Sequence, residues 1–203
     1  MTQQHDYIES SIWYTQEITD PYQVIAEFFF AGNVGSFRKG IKKAVLAAFS
    51  DKTYSRKNPG TLLWEFERIE SVINAAYLIN QENKKSPIIV DNHNLLNKNL
   101  YFGWEVDLTE WDFLPRVLSL KEYKDPYLAF KRFFKFKELA DWKSDLHDIV
   151  DYALIRDSLI SSDVDGFSIY FYLVKLLEAA HLIDVREINH IGGIIKNRNK
   201  AGS

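Results

Sequence analysis

The chain has 203 residues, 46% of them apolar and 26% charged, with a formal net charge of −3 and no cysteine. The balance is that of an ordinary globular protein, and the missing cysteine excludes disulfides, thiolate chemistry and cysteine-based metal sites. Aromatic residues reach 15% against only 9 Gly and 5 Pro, so the expectation is an aromatic-rich core built from helices with short connections.

Met1 to Asp6 is polar and has no basic segment leading into an apolar one, so it does not read as a signal peptide. The purely apolar runs are a few residues long, far short of the roughly 20 needed to span a bilayer. Asp20-Pro21 reads as a helix start, because Asp caps free N–H groups and Pro at the first position loses no intrahelical bond. Tyr22, Ile25 and Phe29 continue at helical spacing. Gly32-Asn33-Val34-Gly35 marks a helix-to-helix turn. The next helix is expected over residues 36–49, with Phe37, Ile41, Val45 and Ala48 on one face. After a polar loop the longest helix is expected over 61–80, burying Leu63, Phe66, Ile69, Ile73, Ala76 and Tyr77. Residues 84–107 read as an ordered linker, with a short strand at Pro87-Ile88-Ile89-Val90 and an aromatic cluster at Tyr101-Phe102-Gly103-Trp104.

The pattern then returns. Asp125-Pro126-Tyr127 repeats Asp20-Pro21-Tyr22, and Phe133-Phe134 repeats Phe28-Phe29, 105 residues later. Ala179-Ala180-His181-Leu182-Ile183-Asp184 echoes Ala75-Ala76-Tyr77-Leu78-Ile79-Asn80 at an offset of 104. Helices are expected over 141–154, with Trp142, Leu146, Val150 and Ala153 on the matching face, and over 167–183. The aromatic Tyr170-Phe171-Tyr172 run suggests a centrally buried helix. Upstream, Ile8 and Ile12 match Phe113 and Val117, which extends each unit to four helices. The expected fold is therefore all-α: an internally duplicated helical bundle, two pseudo-symmetric repeats packed into a single domain over 1–203. Repeat 1 covers 5–83, the linker 84–107, repeat 2 108–188, and a fraying tail, with room for a short helix, 189–203.

Function is far less legible. No nucleophile elbow, phosphate loop, dinucleotide fingerprint or HExxH pattern is present, so the chain leans away from an enzyme and implies no cofactor and no metal. His147 and Asp151 share a helix face, but no third ligand accompanies them. His181 stands where the first repeat has Tyr77, which suggests a structural ring. The two copies differ most in charge. Arg38, Lys39, Lys42 and Lys43 align with Lys143, Ser144, His147 and Asp148, and these four basic residues are the candidate binding surface. The expected function is a cytoplasmic, non-catalytic interaction or regulatory module. It would bind a protein partner, or a second copy of itself, through that charged face or through the groove between repeats, with no membrane involved. One alternative is a small-ligand-binding or enzymatic helical domain using the same groove. Another is a nucleic-acid binder through the basic stretch continuing to Lys52, Arg56 and Lys57.

Overall fold

Asp20 opens the first helix as its sequence predicts. Its carboxylate accepts hydrogen bonds from the Tyr22 and Gln23 N–H groups, and α1 runs Pro21–Phe30. Asn33 then caps α2, Val34–Ala48, accepting from Ser36 N at 2.8 Å. Asn58 and Pro59 start the longest helix, α3, Pro59–Gln81. These assignments come from a computed structural model, which describes residues 8–54, 58–82, 89–103, 109–155, 157–161 and 164–196. Further along lie two short helices, α4 at Glu110–Phe113 and α5 at Leu120–Lys124. Three longer ones follow: α6 at Tyr127–Phe136, α7 at Leu139–Leu154 and α8 at Gly166–Glu187. The fold is all-α, with two small antiparallel hairpins as its only sheet among the described residues.

Those hairpins correct two expectations. Among the described residues no helix precedes α1: Ser11 to Thr15 turn the chain between β1, Glu9–Ser10, and β2, Gln16–Glu17. Polar groups on α3 hold this hairpin down, Ser71 Oγ accepting from Ser11 N at 2.7 Å and Asn74 Nδ2 donating to Glu9 O at 2.8 Å. The described part of the tail, up to residue 196, adds no helix either. Residues 190–195 pair as β3, His190–Ile191, and β4, Ile194–Ile195. In the linker, Ile89 and Val90 form no strand; Pro87, Ile88 and Trp104, like Arg56 and Lys57 of the basic stretch, lie outside the described residues. The part of the linker near Tyr101 packs on α8, where Arg186 Nε donates to Leu100 O at 2.7 Å.

The core centres on α8, against which α1, α2, α3 and α6 pack. Residues 173–184 of that helix are buried on every side, and its Lys175, Glu178 and Asp184 are each paired with an opposite charge. By length and composition α8 is also able to cross a membrane, yet 72% of its apolar stretch is buried within this fold. The Tyr170-Phe171-Tyr172 run is only half-buried, one turn before the central stretch. On α3 it is Leu62 that is buried, while Leu63 is exposed. Two ring stacks anchor α1 to α2 and α6 to α7: Phe28 on Phe37 at 4.0 Å, and Phe133 on Trp142 at 3.9 Å.

One fully buried carboxylate joins α5, α6 and α8. Glu122 accepts from Ser119 N and Oγ at 2.8 and 2.7 Å, from Arg132 at 2.7 Å and from Lys175 at 3.1 Å. Burial alone pushes its pKa up; the Ser119, Arg132 and Lys175 hydrogen bonds outweigh that and bring it to about 2. A carboxylate held below its ordinary 4.5 contributes stability that is complete above pH 4.5 and lost as pH falls toward 2. Glu122→Gln removes the charge and leaves two cations facing a neutral amide. Urea titration at pH 7 is expected to show a loss of about 3 kcal/mol.

Candidate functional site

An apolar cavity of about 490 Å³ opens between α1, the start of α2, the C-terminal half of α8 and the β3–β4 hairpin. Its volume falls within the range of small-molecule pockets. Helix α1 supplies Ala26, Phe29 and Phe30, while Phe113 of α4 and Trp13 of the β1–β2 turn add further rings. Ile191, Ile194 and Ile195 form the hairpin wall. Phe30, Ile194 and Ile195 are 69%, 75% and 74% exposed, so the rim presents large apolar side chains to solvent, an arrangement that marks interaction sites.

The hairpin wall has a specific local cause. Gly192 and Gly193 take φ of 52° and 85°, the left-handed conformation that a two-residue hairpin turn needs at both positions. Gln23 on α1 clasps this turn from both sides, its Nε2 donating to His190 O at 3.2 Å and its Oε1 accepting from Gly192 N at 3.0 Å. Behind the turn Lys196 and Asp184 form a buried ion pair on the cavity wall. The glycine pair expected to fray therefore makes the turn that closes one side of the cavity.

The most unusual group at the cavity is His181. It is 3% exposed and packs edge-on to Phe29 at 5.0 Å, with Phe113 tilted at 5.7 Å. Its Nε2 lies 2.9 Å from Tyr101 O. A carbonyl only accepts, so the proton sits on Nε2 and Nδ1 is left as an acceptor. Nδ1 has no hydrogen-bond partner among the described residues. Burial is the main cause that lowers the imidazole pKa to about 4; the Tyr101 bond works against it, and the charges of Arg38, Lys196 and Arg186 lower it further. The ring is neutral at physiological pH. Glu27, also on the wall, is shifted up by burial despite a hydrogen bond from Trp13.

Comparison with protein-family models, with curated proteins and with solved structures finds no match. The residues themselves are therefore the whole basis for a functional reading.

Of the four basic residues singled out in the sequence, the structure separates one from the rest. Arg38 is 5% exposed and points inward. It pairs with Glu178 at 2.6 Å and donates to Leu114 O at 2.9 Å and to Asp112 O. Lys39, Lys42 and Lys43 are exposed on α2, with Lys39 Nζ 3.9 Å from Asp112. On α7 the aligned Lys143 and His147 both turn toward Glu70 of α3, at 3.4 and 3.6 Å. Among the described residues no three acidic or histidine side chains gather as a metal site would need. The sequence points to His181 only through its replacement of Tyr77; its place on a cavity wall depends on the hairpin and on Phe113, both distant in sequence.

Two outcomes follow. Arg38→Met leaves the Glu178 charge buried without its cation and is expected to cost about 3–5 kcal/mol in chemical denaturation, whereas Lys39→Glu on the exposed face shifts stability by less than about 0.5 kcal/mol. For His181 the folded pKa lies below the unfolded value of 6.5, so the unfolded chain binds the extra proton first. Stability is expected to fall by about 3 kcal/mol as pH drops from 6.5 to 4. In His181→Phe, denaturation measured at each pH should lose that slope.

Proposed function

We propose that this chain is a duplicated helical bundle that binds a small, largely apolar molecule in the cavity between its halves. The observation that carries the reading is an apolar cavity of about 490 Å³ whose rim leaves Phe30, Ile194 and Ile195 exposed. Large apolar side chains grouped at a cavity mouth mark interaction sites, and pockets for small molecules typically combine apolar walls with a few placed polar groups.

Several features support the duplication. The packing partners exchange under a swap of halves: α1 meets α3 and α6 meets α8, α2 meets α8 and α7 meets α3, α1 meets α8 and α6 meets α3. Phe28 on Phe37 and Phe133 on Trp142 occupy matching positions at nearly equal spacing. So do Phe29 with His181 at 5.0 Å and Phe134 with Tyr77 at 5.3 Å. Tyr22 and Tyr127, the two repeated tyrosines, lie close enough that Tyr22 helps to raise the Tyr127 pKa, as equivalent residues beside a two-fold axis would.

Divergence supports a single site. Cavity residues Ala26, Glu27 and Phe30 align with Lys131, Arg132 and Lys135, so the matching surface of α6 is cationic and unsuited to an apolar ligand. Reading the protein as a partner-binding module through its basic face rests on three exposed lysines, since Arg38 is committed to Glu178. A surface of that kind is ordinarily a solvated helix face. The cavity is the better-supported site.

Titration with N-phenyl-1-naphthylamine, which brightens in apolar surroundings, tests the reading. Saturable one-to-one binding is expected. Ala26→Leu, which fills the cavity from α1, should weaken it at least tenfold with the helical circular dichroism unchanged. Paired Lys42→Glu and Lys43→Glu substitutions should leave it as it is. Dye that fails to saturate, or that ignores Ala26→Leu, removes the cavity as a binding site.

A further inference from the structure

We infer that the ligand of this cavity is an organic cation, a substituted ammonium group carried on an apolar body, whose charge is held by the Glu27 carboxylate beside the Trp13 and Phe30 rings. The inference rests on the cavity reading and adds the charge of what fills it.

Helix α1 sets the arrangement. Gln23, Glu27 and Phe30 stand four and three residues apart, so they share one face of the helix. Gln23, at one end of that stripe, holds the β3–β4 turn that closes the opposite wall. Phe30, at the other end, lines the cavity and is largely exposed. Glu27 lies between them, lines the same cavity and keeps part of its surface accessible. Trp13, on the β1–β2 turn, is also exposed and lines the cavity. It lies near enough to the Glu27 carboxyl to act on its ionisation. Accessible ring faces attract a cation through their quadrupole, Trp most strongly, and the carboxylate supplies the countercharge. Behind these three residues the wall is Ala26, Phe29 and Ile191, which suits an apolar body.

The charges on the lining leave Glu27 over. Lys196 is matched by Asp184 on the wall, and Arg38 by Glu178 behind it. Burial raises the Glu27 pKa and Trp13 works against that, but no cation among the described residues does. The aligned position on α6 shows the contrast: there Arg132 meets the Glu122 carboxylate at 2.7 Å. A ligand cation would give Glu27 the partner that the described chain does not. An anion has no comparable place. The start of α2, where helix N–H groups could receive one, is already capped, Asn33 accepting from Ser36 N at 2.8 Å.

The test uses three compounds of similar shape on the full chain at pH 7.5, each displacing N-phenyl-1-naphthylamine. They are (2-naphthylmethyl)trimethylammonium, its neutral isostere 2-neopentylnaphthalene, and 2-naphthylacetate. The cation is expected to bind about tenfold more tightly than the isostere, with the carboxylate weaker than both. In Glu27→Gln that advantage should fall to about threefold or less, since only the rings remain. Trp13→Leu, which keeps the carboxylate and removes a ring, should also reduce it and serves if the Gln variant misfolds. Equal affinity for cation and isostere overturns the cation assignment and leaves the cavity reading standing. So does an advantage that survives Glu27→Gln, tighter binding of the carboxylate, or dye that none of the three displaces. Dye that fails to saturate the chain overturns both.

Discussion

The buried pair of Arg38 and Glu178 is the contact on which the site depends. Glu178 lies on α8 and accepts not only from Arg38 but from the backbone N–H groups of Arg116 and Val117, at 2.8 to 3.0 Å. Arg38 reaches back to the carbonyls of Asp112 and Leu114. One ion pair thus fastens α2 to α8 and clamps residues 112–117 between them. Phe113 sits within that clamped segment, and Phe113 is one of the rings that flank His181. A buried pair of this kind contributes little net stability over an apolar substitute. What it fixes is position: five hydrogen bonds to backbone groups define where an otherwise irregular segment lies.

The same α8 positions are used differently in the two halves. Asn74 of α3 aligns with Glu178, and it too holds the chain that leads into the following helix, through Glu9 O. On the proposed duplication, a neutral amide serves one half and a charged carboxylate the other. The charged version needs a buried cation, and Arg38 supplies it. Arg68 marks a second divergence. It donates to Phe28 O at 2.9 Å and lies over the Trp64 ring at 4.3 Å. The aligned Tyr172 instead stacks on Phe136 at 4.3 Å, and Phe133 O receives Trp142 Nε1 at 3.2 Å. Each carbonyl has a donor, but a different one.

How much of this was legible follows from range. The caps at Asp20 and Asn33, and the faces of α2 and α7, are local and period-driven, and the helices appear within a few residues of their expected places. The helix expected before α1 fails because Ile8 and Ile12 alone do not distinguish a helical step from a hairpin with an intervening turn. Arg38 was misplaced for a similar reason. Its neighbours Lys39, Lys42 and Lys43 form a basic run, and nothing within one helix tells that Arg38 falls on the inner edge opposite a carboxylate 140 residues away. The cavity had a signal that charge comparison on α2 and α7 passed over. Aligning α1 with α6 sets Ala26 and Phe30 against Lys131 and Lys135, the one long-helix surface where the first copy is apolar and the second cationic.

His181 is held at a cost to the fold. A buried acceptor without a donor costs about 1–3 kcal/mol, and the ring also makes the protein less stable as pH falls below 6.5. Tyr77 in the matching place is only half-buried. A phenyl ring at 181 would satisfy the contacts to Phe29 and Phe113 as well as the imidazole does. It would forgo only the bond to Tyr101 O and the lone pair on Nδ1. The first of these fixes the tautomer; the second is buried with no donor among the described residues.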